Sequence, residues 1–200
     1  MAVPSDLPTL PKLPTFPDLT EHHIETEQVV DGKFICLHTD RVRLPDGSES
    51  HREYVLHPGA VVIAAFVGNN ADADTLVFEH QYRYPVGKHF LELPAGKIEE
   101  GEDKLVTAKR ELLEETGYVS ERWQHALTMH PTIGYANEHI ELYIAKHVKF
   151  VGHQRDEGEF LEVFTMSLSD AVERVGRGEI TDTKTAFSLL WLDRFRDRWS

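Results

Sequence analysis

An uninterrupted apolar run, Ala60 to Val67, most strongly constrains how this 200-residue chain can fold. A strand that is apolar at every position must be covered on both faces, as in the centre of an α/β sheet. His57-Pro58-Gly59 interrupts the chain just before this run, and it marks the boundary that we predict between two domains. Thr75 to His80 is predicted to be the hairpin partner of the central strand.

The segment before this boundary has the pattern of a small antiparallel β module. Phe34-Ile35-Cys36-Leu37 and Arg41-Val42-Arg43-Leu44 have strand composition, and they precede a turn signal, Pro45-Asp46-Gly47-Ser48, and a returning strand, Arg52 to Leu56. Five prolines in the first 17 residues predict an extended arm instead. We therefore expect an arm at 1–20, a β module at 21–57 and a larger α/β domain at 58–200.

The composition argues against several classes of function. Thirty-four acidic and 21 basic side chains give a net charge of −13, which repels nucleic acids and anionic membrane surfaces. Cys36 is the only cysteine, so an intrachain disulfide is impossible and a reducing, cytoplasmic compartment is expected. The longest apolar stretch is much shorter than the roughly 20 residues that cross a bilayer. A binding site for an anionic small molecule would therefore need basic side chains close to the ligand.

A cluster of glutamates lies in the most strongly helical segment, Glu102 to Thr116, which Gly117 is placed to terminate. The helical repeat puts Glu111, Glu114 and Glu115 on one face, where their charges repel one another. Mg²⁺ or Mn²⁺ would relieve this repulsion, because hard divalent cations prefer oxygen ligands. The alternative is a solvated acidic face, but the glutamates lack the basic i+4 partners that such a face normally carries.

Two further strands and two closing helices are predicted towards the C-terminus. Strand composition recurs at Ile140 to Ala145 and at Phe160 to Met166. Helical patterns follow at Ser169 to Gly176 and at Lys184 to Arg196.

Residues Gly96 to Tyr118 fit the pattern Gly-x5-Glu-x7-Arg-Glu-U-x-Glu-Glu-x-Gly-U at every specified position, where U is a bulky apolar residue. This segment resembles the Nudix box, and the fixed spacing makes the match highly specific. The resemblance implies an α/β/α sandwich with a mixed sheet, and hydrolysis of a nucleoside diphosphate linked to another group. It also implies that Glu111, Glu114 and Glu115 ligate a metal and that Arg110 orients them through an ion pair, with Glu102 supporting the loop or the metal.

The flanking residues resemble the ADP-ribose pyrophosphatase branch of that family. Leu91-Glu92-Leu93-Pro94-Ala95-Gly96 and Gln81-Tyr82-Arg83-Tyr84 carry this resemblance. It implies that the Ala95 carbonyl ligates metal and that Arg83 contacts substrate, and we expect Glu92 and Glu138 to contact substrate as well. The N-terminal module looks like the branch's dimerisation module, which implies a homodimer.

The general base is expected outside the box, because a carboxylate bound to metal is a poor proton acceptor. Asp156-Glu157-Gly158-Glu159 lies between predicted strands, and Gly158 allows this loop to bend over a substrate. The segment resembles the acidic loop that supplies the base in ADP-ribose pyrophosphatases. Glu157 is our candidate base and Glu159 the alternative and a further metal contact, with Glu138 considered if neither acts.

The resulting prediction is Mg²⁺-dependent hydrolysis of ADP-ribose or a related nucleoside diphosphate sugar, giving AMP or another nucleoside monophosphate and a sugar phosphate. The branch often has Ser-Pro-Gly where this chain has Thr132-Ile133-Gly134, so other substrates stay open. They are GDP-mannose, a dinucleoside polyphosphate or NADH. A module that senses a nucleotide sugar without hydrolysing it is the alternative outside enzymology, and the intact carboxylate cluster argues against it.

Overall fold

The computed structural model describes residues 10–32, 35–68, 74–152 and 160–199. The chain forms two compact units, Met1–Glu53 and Tyr54–Ser200. Residues 10–21 contain no helix or strand, and residues 10–20 are exposed to solvent. Within the described ranges, no helix combines the length and the apolar composition needed to cross a membrane.

The N-terminal sheet has three strands in the order β1-β2-β3. Their bounds are β1 His22–Asp31, β2 Cys36–Arg43 and β3 Glu49–Leu56. β1 runs antiparallel to β2 and was not predicted, because its polar sequence lacks an apolar face. The two short strands expected before the turn are one continuous strand, β2, and Phe34 lies outside the described residues. The predicted turn is confirmed by the hydrogen bond from the Gly47 amide to the Leu44 carbonyl, 2.9 Å long.

The second unit contains a mixed sheet of eight strands. β11-β5-β4-β10-β8 form its main path, while β6 pairs with β5, β7 with β4 and β9 with β10. The parallel pair is β4 and β10, at the centre, and the other described pairings are antiparallel. The bounds are β4 Ala60–Val67, β5 Thr75–Arg83, β6 Lys88–Glu92, β7 Ala95–Lys97, β8 Tyr118–Val119, β9 Arg122–Met129, β10 Ile140–Phe150 and β11 Leu161–Ser167.

Strand β4 is covered on both faces, as its apolar run predicts. One face packs with helix α1 (Lys104–Thr116), and the other with α2 (Leu168–Gly176) and α3 (Thr183–Arg194). Alternate residues divide between these two cores because successive strand side chains point to opposite faces. Val61, Ile63 and Ala65 join the α1 core, and Val62, Ala64 and Phe66 join the α2 and α3 core. The expected α/β/α sandwich with a mixed sheet is confirmed.

Helix α1 begins two residues later than predicted. Asp103 has extended backbone angles and caps the helix, since its carboxylate accepts hydrogen bonds from the amides of Leu105 and Val106 at 3.0 and 3.2 Å. The first turn of the helix itself contains no acidic residue, because Glu102 and Asp103 precede it. Gly117 ends the helix as predicted, with φ 74° in the left-handed region and its amide bonded to the Leu113 carbonyl.

A buried carboxylate ties the start of α1 to the sheet. Glu141 on β10 accepts hydrogen bonds from Lys104 and from Thr128 Oγ1, the latter at 2.7 Å, and it lies 2.6 Å from His125 Nε2. Burial raises the pKa of Glu141, but these hydrogen bonds outweigh it and lower the pKa to about 2. Glu141 is therefore ionised at neutral pH and fixes the first residue of α1 to β10 and β9.

Candidate active site

Arg110 forms ion pairs with three glutamates of the box. Its guanidinium donates hydrogen bonds to Glu102 at 3.0 and 3.1 Å, to Glu111 at 2.9 Å and to Glu114 at 3.0 Å. The hydrogen bonds from Arg110 lower the pKa of Glu102 to about 2. Our expectation that the glutamates lack a basic partner at helical spacing is wrong for Glu114, because Arg110 lies one turn before it. The single guanidinium of Arg110 thus holds three carboxylates of the box in place.

Gly96 allows Glu111 to lie directly against the backbone of strand β7. A Cβ atom at position 96 would lie 1.9 Å from the Glu111 carboxyl carbon, far inside the contact distance of any real side chain. The steric constraint therefore explains why the first position of the box is glycine. It also fixes the Glu111 carboxylate next to the peptide that joins Ala95 and Gly96.

Glu115 reaches the same peptide from the next turn of α1. Its Oε2 atom accepts a 3.0 Å hydrogen bond from the Ala95 amide, and the residue is buried. Glu111 and Glu115 therefore meet the Ala95–Gly96 segment from one helix face, as the helical repeat predicts. Strand β7, which contains Ala95, is held in turn by its pairing with β4.

Arg83 and Glu92 form a two-bond ion pair beside this cluster. Arg83 donates from Nε to Oε1 at 2.7 Å and from a terminal nitrogen to Oε2 at 2.8 Å. Burial raises the pKa of Glu92, but the hydrogen bond from Arg83 and the charge of Lys184 outweigh it and lower the pKa. The Arg83 side chain is 43% exposed, so its remaining N–H groups are open to a ligand.

A surface groove of about 410 Å³ opens next to this ion pair. It is lined by residues of the β5–β6 hairpin and of the segment leading into α3, namely Arg83, Pro85, Val86, Phe90, Glu92, Thr181, Asp182 and Thr183. The lining combines a guanidinium with apolar and aromatic surface, which is the combination that a phosphate attached to an organic group requires.

Helix α3 supports the segment between β6 and β7. Lys184 donates to Glu92 and, at 2.9 Å, to Asp182, which caps the helix by accepting from the Thr185 amide at 3.0 Å. The buried Thr185 hydroxyl accepts a 2.9 Å hydrogen bond from the Leu93 amide. Residues about ninety positions apart thus fix the backbone that carries Glu92 and Ala95.

The structure adds one carboxylate that the sequence reasoning missed. Glu79 on β5 is 2% exposed, and it is paired across the sheet with Glu92. Its side chain is hydrogen-bonded to Glu115, whereas its Oε1 atom is buried without a partner in the described part of the chain. Burial raises the pKa of Glu79 to about 7. The only sequence feature that could have indicated this residue is its position directly after the apolar segment Leu76-Val77-Phe78.

Glu138 makes its described contacts with residues other than the box glutamates. Glu138 accepts a 3.4 Å hydrogen bond from the Thr132 hydroxyl and lies 3.8 Å from His57 Nε2. Glu157 and Glu159, the candidate base and its alternative, lie outside the described residues.

Comparison with known proteins assigns the family. A model described as the NUDIX domain matches residues 56–186, and one described as the nucleoside diphosphate sugar hydrolase N-terminal domain matches residues 21–55. The chain belongs to the Nudix family. It is a Nudix hydrolase, and this family generally uses divalent metal cations.

Two relatives of this Nudix hydrolase cover most of its length, and a solved structure shares its fold. An ADP-ribose pyrophosphatase from Bacillus subtilis is 38% identical, with 87% of this chain and 93% of the relative covered. A methanol dehydrogenase activator from Bacillus methanolicus is 40% identical, with 86% and 92% covered. A solved structure described as an ADP compounds hydrolase has a TM-score of 0.75 at 19% identity, covering 89% of this chain and 97% of that one, and shows the shared fold.

The Nudix site fits a divalent cation by its chemistry. Its donors are carboxylate and peptide oxygens, and Gly96 leaves room for a carboxylate that a Cβ would displace. Across the described ranges, no three histidine, cysteine, aspartate or glutamate side chains already form a complete metal cluster. Mg²⁺ is usually held by only one or two carboxylates together with waters and substrate phosphates, so this arrangement is compatible with binding.

Proposed function

We propose that the protein hydrolyses the pyrophosphate bond of ADP-ribose or of a related nucleoside diphosphate sugar in the presence of Mg²⁺. The products would be AMP, or the corresponding nucleoside monophosphate, and a sugar phosphate. The observation that carries this proposal is the Arg83–Glu92 ion pair at the edge of a groove, where Arg83 also interacts electrostatically with Glu115. The ADP-ribose pyrophosphatase relatives support the same substrate class.

Each residue of the site has a proposed part in this reaction. Arg83 binds a phosphate oxygen of the substrate, while Glu92 holds its guanidinium in the required orientation. Glu111, Glu114 and Glu115 and the Ala95 carbonyl hold Mg²⁺, or Mn²⁺ in its place. When bound, the cation neutralises charge on the diphosphate and lowers the pKa of the attacking water.

Arg110 is proposed to position the metal-binding carboxylates. Its ion pairs with Glu102, Glu111 and Glu114 keep these side chains in place before substrate arrives. Glu157 is proposed to accept the proton of the attacking water, with Glu159 as the alternative and Glu138 as the residue to test if neither acts. Glu138 is also proposed to contact the substrate.

The direct test incubates the purified chain and Mg²⁺ with ADP-ribose, GDP-mannose, a dinucleoside polyphosphate and NADH, and separates the products by chromatography. We expect AMP and a sugar phosphate from ADP-ribose at the highest kcat/KM. Glu115→Gln should reduce turnover at least about a thousandfold, since metal catalysis supplies several kcal/mol. Glu173→Gln is the matched control, because Glu173 is an exposed residue on α2 that pairs only with Arg177 among the ion pairs of the described chain.

Three results would contradict the proposal or part of it. A tenfold preference for another member of the panel would change the substrate but keep the reaction. Full activity in excess chelator would refute the metal dependence. No hydrolysis of any compound would refute the reaction and favour a module that only binds nucleotide sugars.

The relative named methanol dehydrogenase activator favours a second candidate, in which this chain raises the activity of a methanol dehydrogenase. Wild-type protein and Glu115→Gln would each be added to a purified methanol dehydrogenase at equal concentration. Stimulation by wild-type protein alone would mean that activation depends on hydrolysis. Stimulation by neither would reject this candidate.

We also propose a homodimer formed through the N-terminal module, in the cytoplasm. The module is too small to bury a substantial core by itself, which favours pairing with a second copy. The single cysteine supports a reducing compartment.

A further inference from the structure

Glu79 lies outside the box but inside the candidate active site. It is buried on β5, hydrogen-bonded to Glu115 of α1 and placed opposite Glu92 in the β5–β6 pair. Three carboxylates from three different elements therefore lie side by side in the interior. Such an arrangement is unfavourable unless protons or cations compensate the charges.

The basic groups nearby compensate only part of this charge. Arg83 and Lys184 both bind Glu92, and they occupy its two oxygens. Glu115 accepts a hydrogen bond from the uncharged Ala95 amide, and the charges of Arg83 and Lys184 act on Glu79 without a hydrogen bond to it. Glu79 and Glu115 are thus two buried acids in contact, and the Oε1 atom of Glu79 has no hydrogen-bond partner in the described chain.

We propose that Glu79 is a further ligand of the divalent cation, which it binds together with Glu115. The inference rests on the proposed function, because it concerns the same cation. Carboxylate oxygens are the protein ligands that Mg²⁺ prefers, with waters and substrate phosphates completing the coordination. Glu79 would thus add a carboxylate from β5 to those that α1 supplies. The cation and its waters would also give the Oε1 atom of Glu79 the polar partner that it lacks. A buried oxygen without such a partner lowers the stability of the folded protein.

The competing explanation is a proton shared between Glu79 and Glu115. Such a proton accounts for the contact between the two acids but leaves Oε1 without a partner. Glutamine separates the two explanations, because its amide has the shape of a protonated acid and can donate to Glu115, yet it carries no charge.

The experiment measures Mn²⁺ binding by the full-length chain, without substrate, from the loss of the free Mn²⁺ signal in electron paramagnetic resonance. Wild type is compared with Glu79→Gln and with Glu141→Gln as the matched control. Glu141 is also a buried carboxylate of the central sheet, but Lys104, Thr128 and His125 satisfy it. The melting temperature of each protein is recorded with and without Mn²⁺.

We expect Glu79→Gln to weaken Mn²⁺ binding at least about tenfold. This is the lower end of the loss in metal affinity that follows when a side chain that supports a metal site is replaced. Its metal-free melting temperature should equal or exceed that of wild type, because a buried charge is removed, while the rise on adding Mn²⁺ should shrink. Glu141→Gln should do the opposite, lowering the metal-free melting temperature and keeping Mn²⁺ affinity within twofold.

Unchanged Mn²⁺ affinity in Glu79→Gln, within twofold, would overturn the inference and favour the shared proton. If Glu79→Gln does not fold, Glu79→Asp replaces it. That variant keeps the charge on a shorter stem, so an affinity loss of at least threefold supports a ligand and an unchanged affinity refutes it. Failure of the proposed function is distinguishable, because wild-type protein would then bind no Mn²⁺ or hydrolyse no substrate.

Discussion

Replacing Gly96 with alanine should separate the activity of the site from the stability of the fold. Gly96 does not have a left-handed φ, so alanine is strained only by the 1.9 Å approach of its Cβ to the Glu111 carboxyl carbon. Glu111 must retreat by about 1.5 Å to reach an ordinary contact at 3.4 Å. The carboxyl group is the end of a flexible side chain, so this retreat costs little folding free energy, but it displaces a proposed metal ligand.

A displacement of about 1 Å in a reacting group typically lowers the rate about a hundredfold, or about 2.7 kcal/mol in activation free energy. We expect kcat for ADP-ribose hydrolysis to fall by that factor or more, while the melting temperature changes by only a few degrees. Steady-state kinetics and calorimetry on the same preparation measure the two effects.

Gly176→Ala is the matched control for this substitution. Gly176 ends α2, and a Cβ there meets nothing within 4 Å. This variant should keep wild-type kcat and be equally or slightly more stable, since alanine favours a helix over glycine. If Gly96→Ala keeps kcat within threefold of wild type, the close placement of Glu111 against the loop is not needed for catalysis and the reasoning is wrong.

Three further predictions concern the general base, the buried carboxylate Glu141 and the oligomeric state. Glu157→Gln should lower kcat by roughly 10² to 10⁴ and leave substrate affinity within a few-fold, as measured by steady-state kinetics; a larger loss in Glu159→Gln would exchange the two roles. The depressed pKa of Glu141 means that its stabilisation is complete above its ordinary value of 4.5 and is lost as the pH falls towards about 2. The stability difference between wild type and Glu141→Gln in urea titrations should therefore shrink over that range, and a constant difference would contradict it. Light scattering should show a dimer that persists after removal of residues 1–17 but not of 24–56, and an active monomer at micromolar concentration would count against the module's role.

The central elements of the fold were predictable because their patterns are local. The apolar run of β4 and the glycine that ends α1 appear with the predicted bounds. The short strands β6 to β8 and the eight-residue strand β9 were not predicted, and for β7 the reason is physical. β7 has only three residues, and its strand conformation is set by pairing with β4 rather than by its own composition.

The site was predictable as far as the box extends. Helical spacing brings Glu111 and Glu115 to one peptide, but the ion pairs from Arg110 to Glu111 and Glu114 do not follow from spacing and were expected only from the family resemblance. Glu79 could not be assigned, because a single acidic residue in a strand is normally solvated and only the tertiary structure shows that Glu115 lies beside it.

The hydrogen bonds from α3 to the segment between β6 and β7 have a consequence for biosynthesis. A ribosome completes the whole Nudix box, up to Tyr118, long before it adds Lys184 and Thr185. Until then the Leu93 amide lacks its buried acceptor, and Glu92 lacks one of its two cations. A nascent chain should therefore acquire the helix with its glutamates early and the ordered substrate groove only after α3 has been synthesised, so that truncation before α3 removes activity from a chain whose motif is intact.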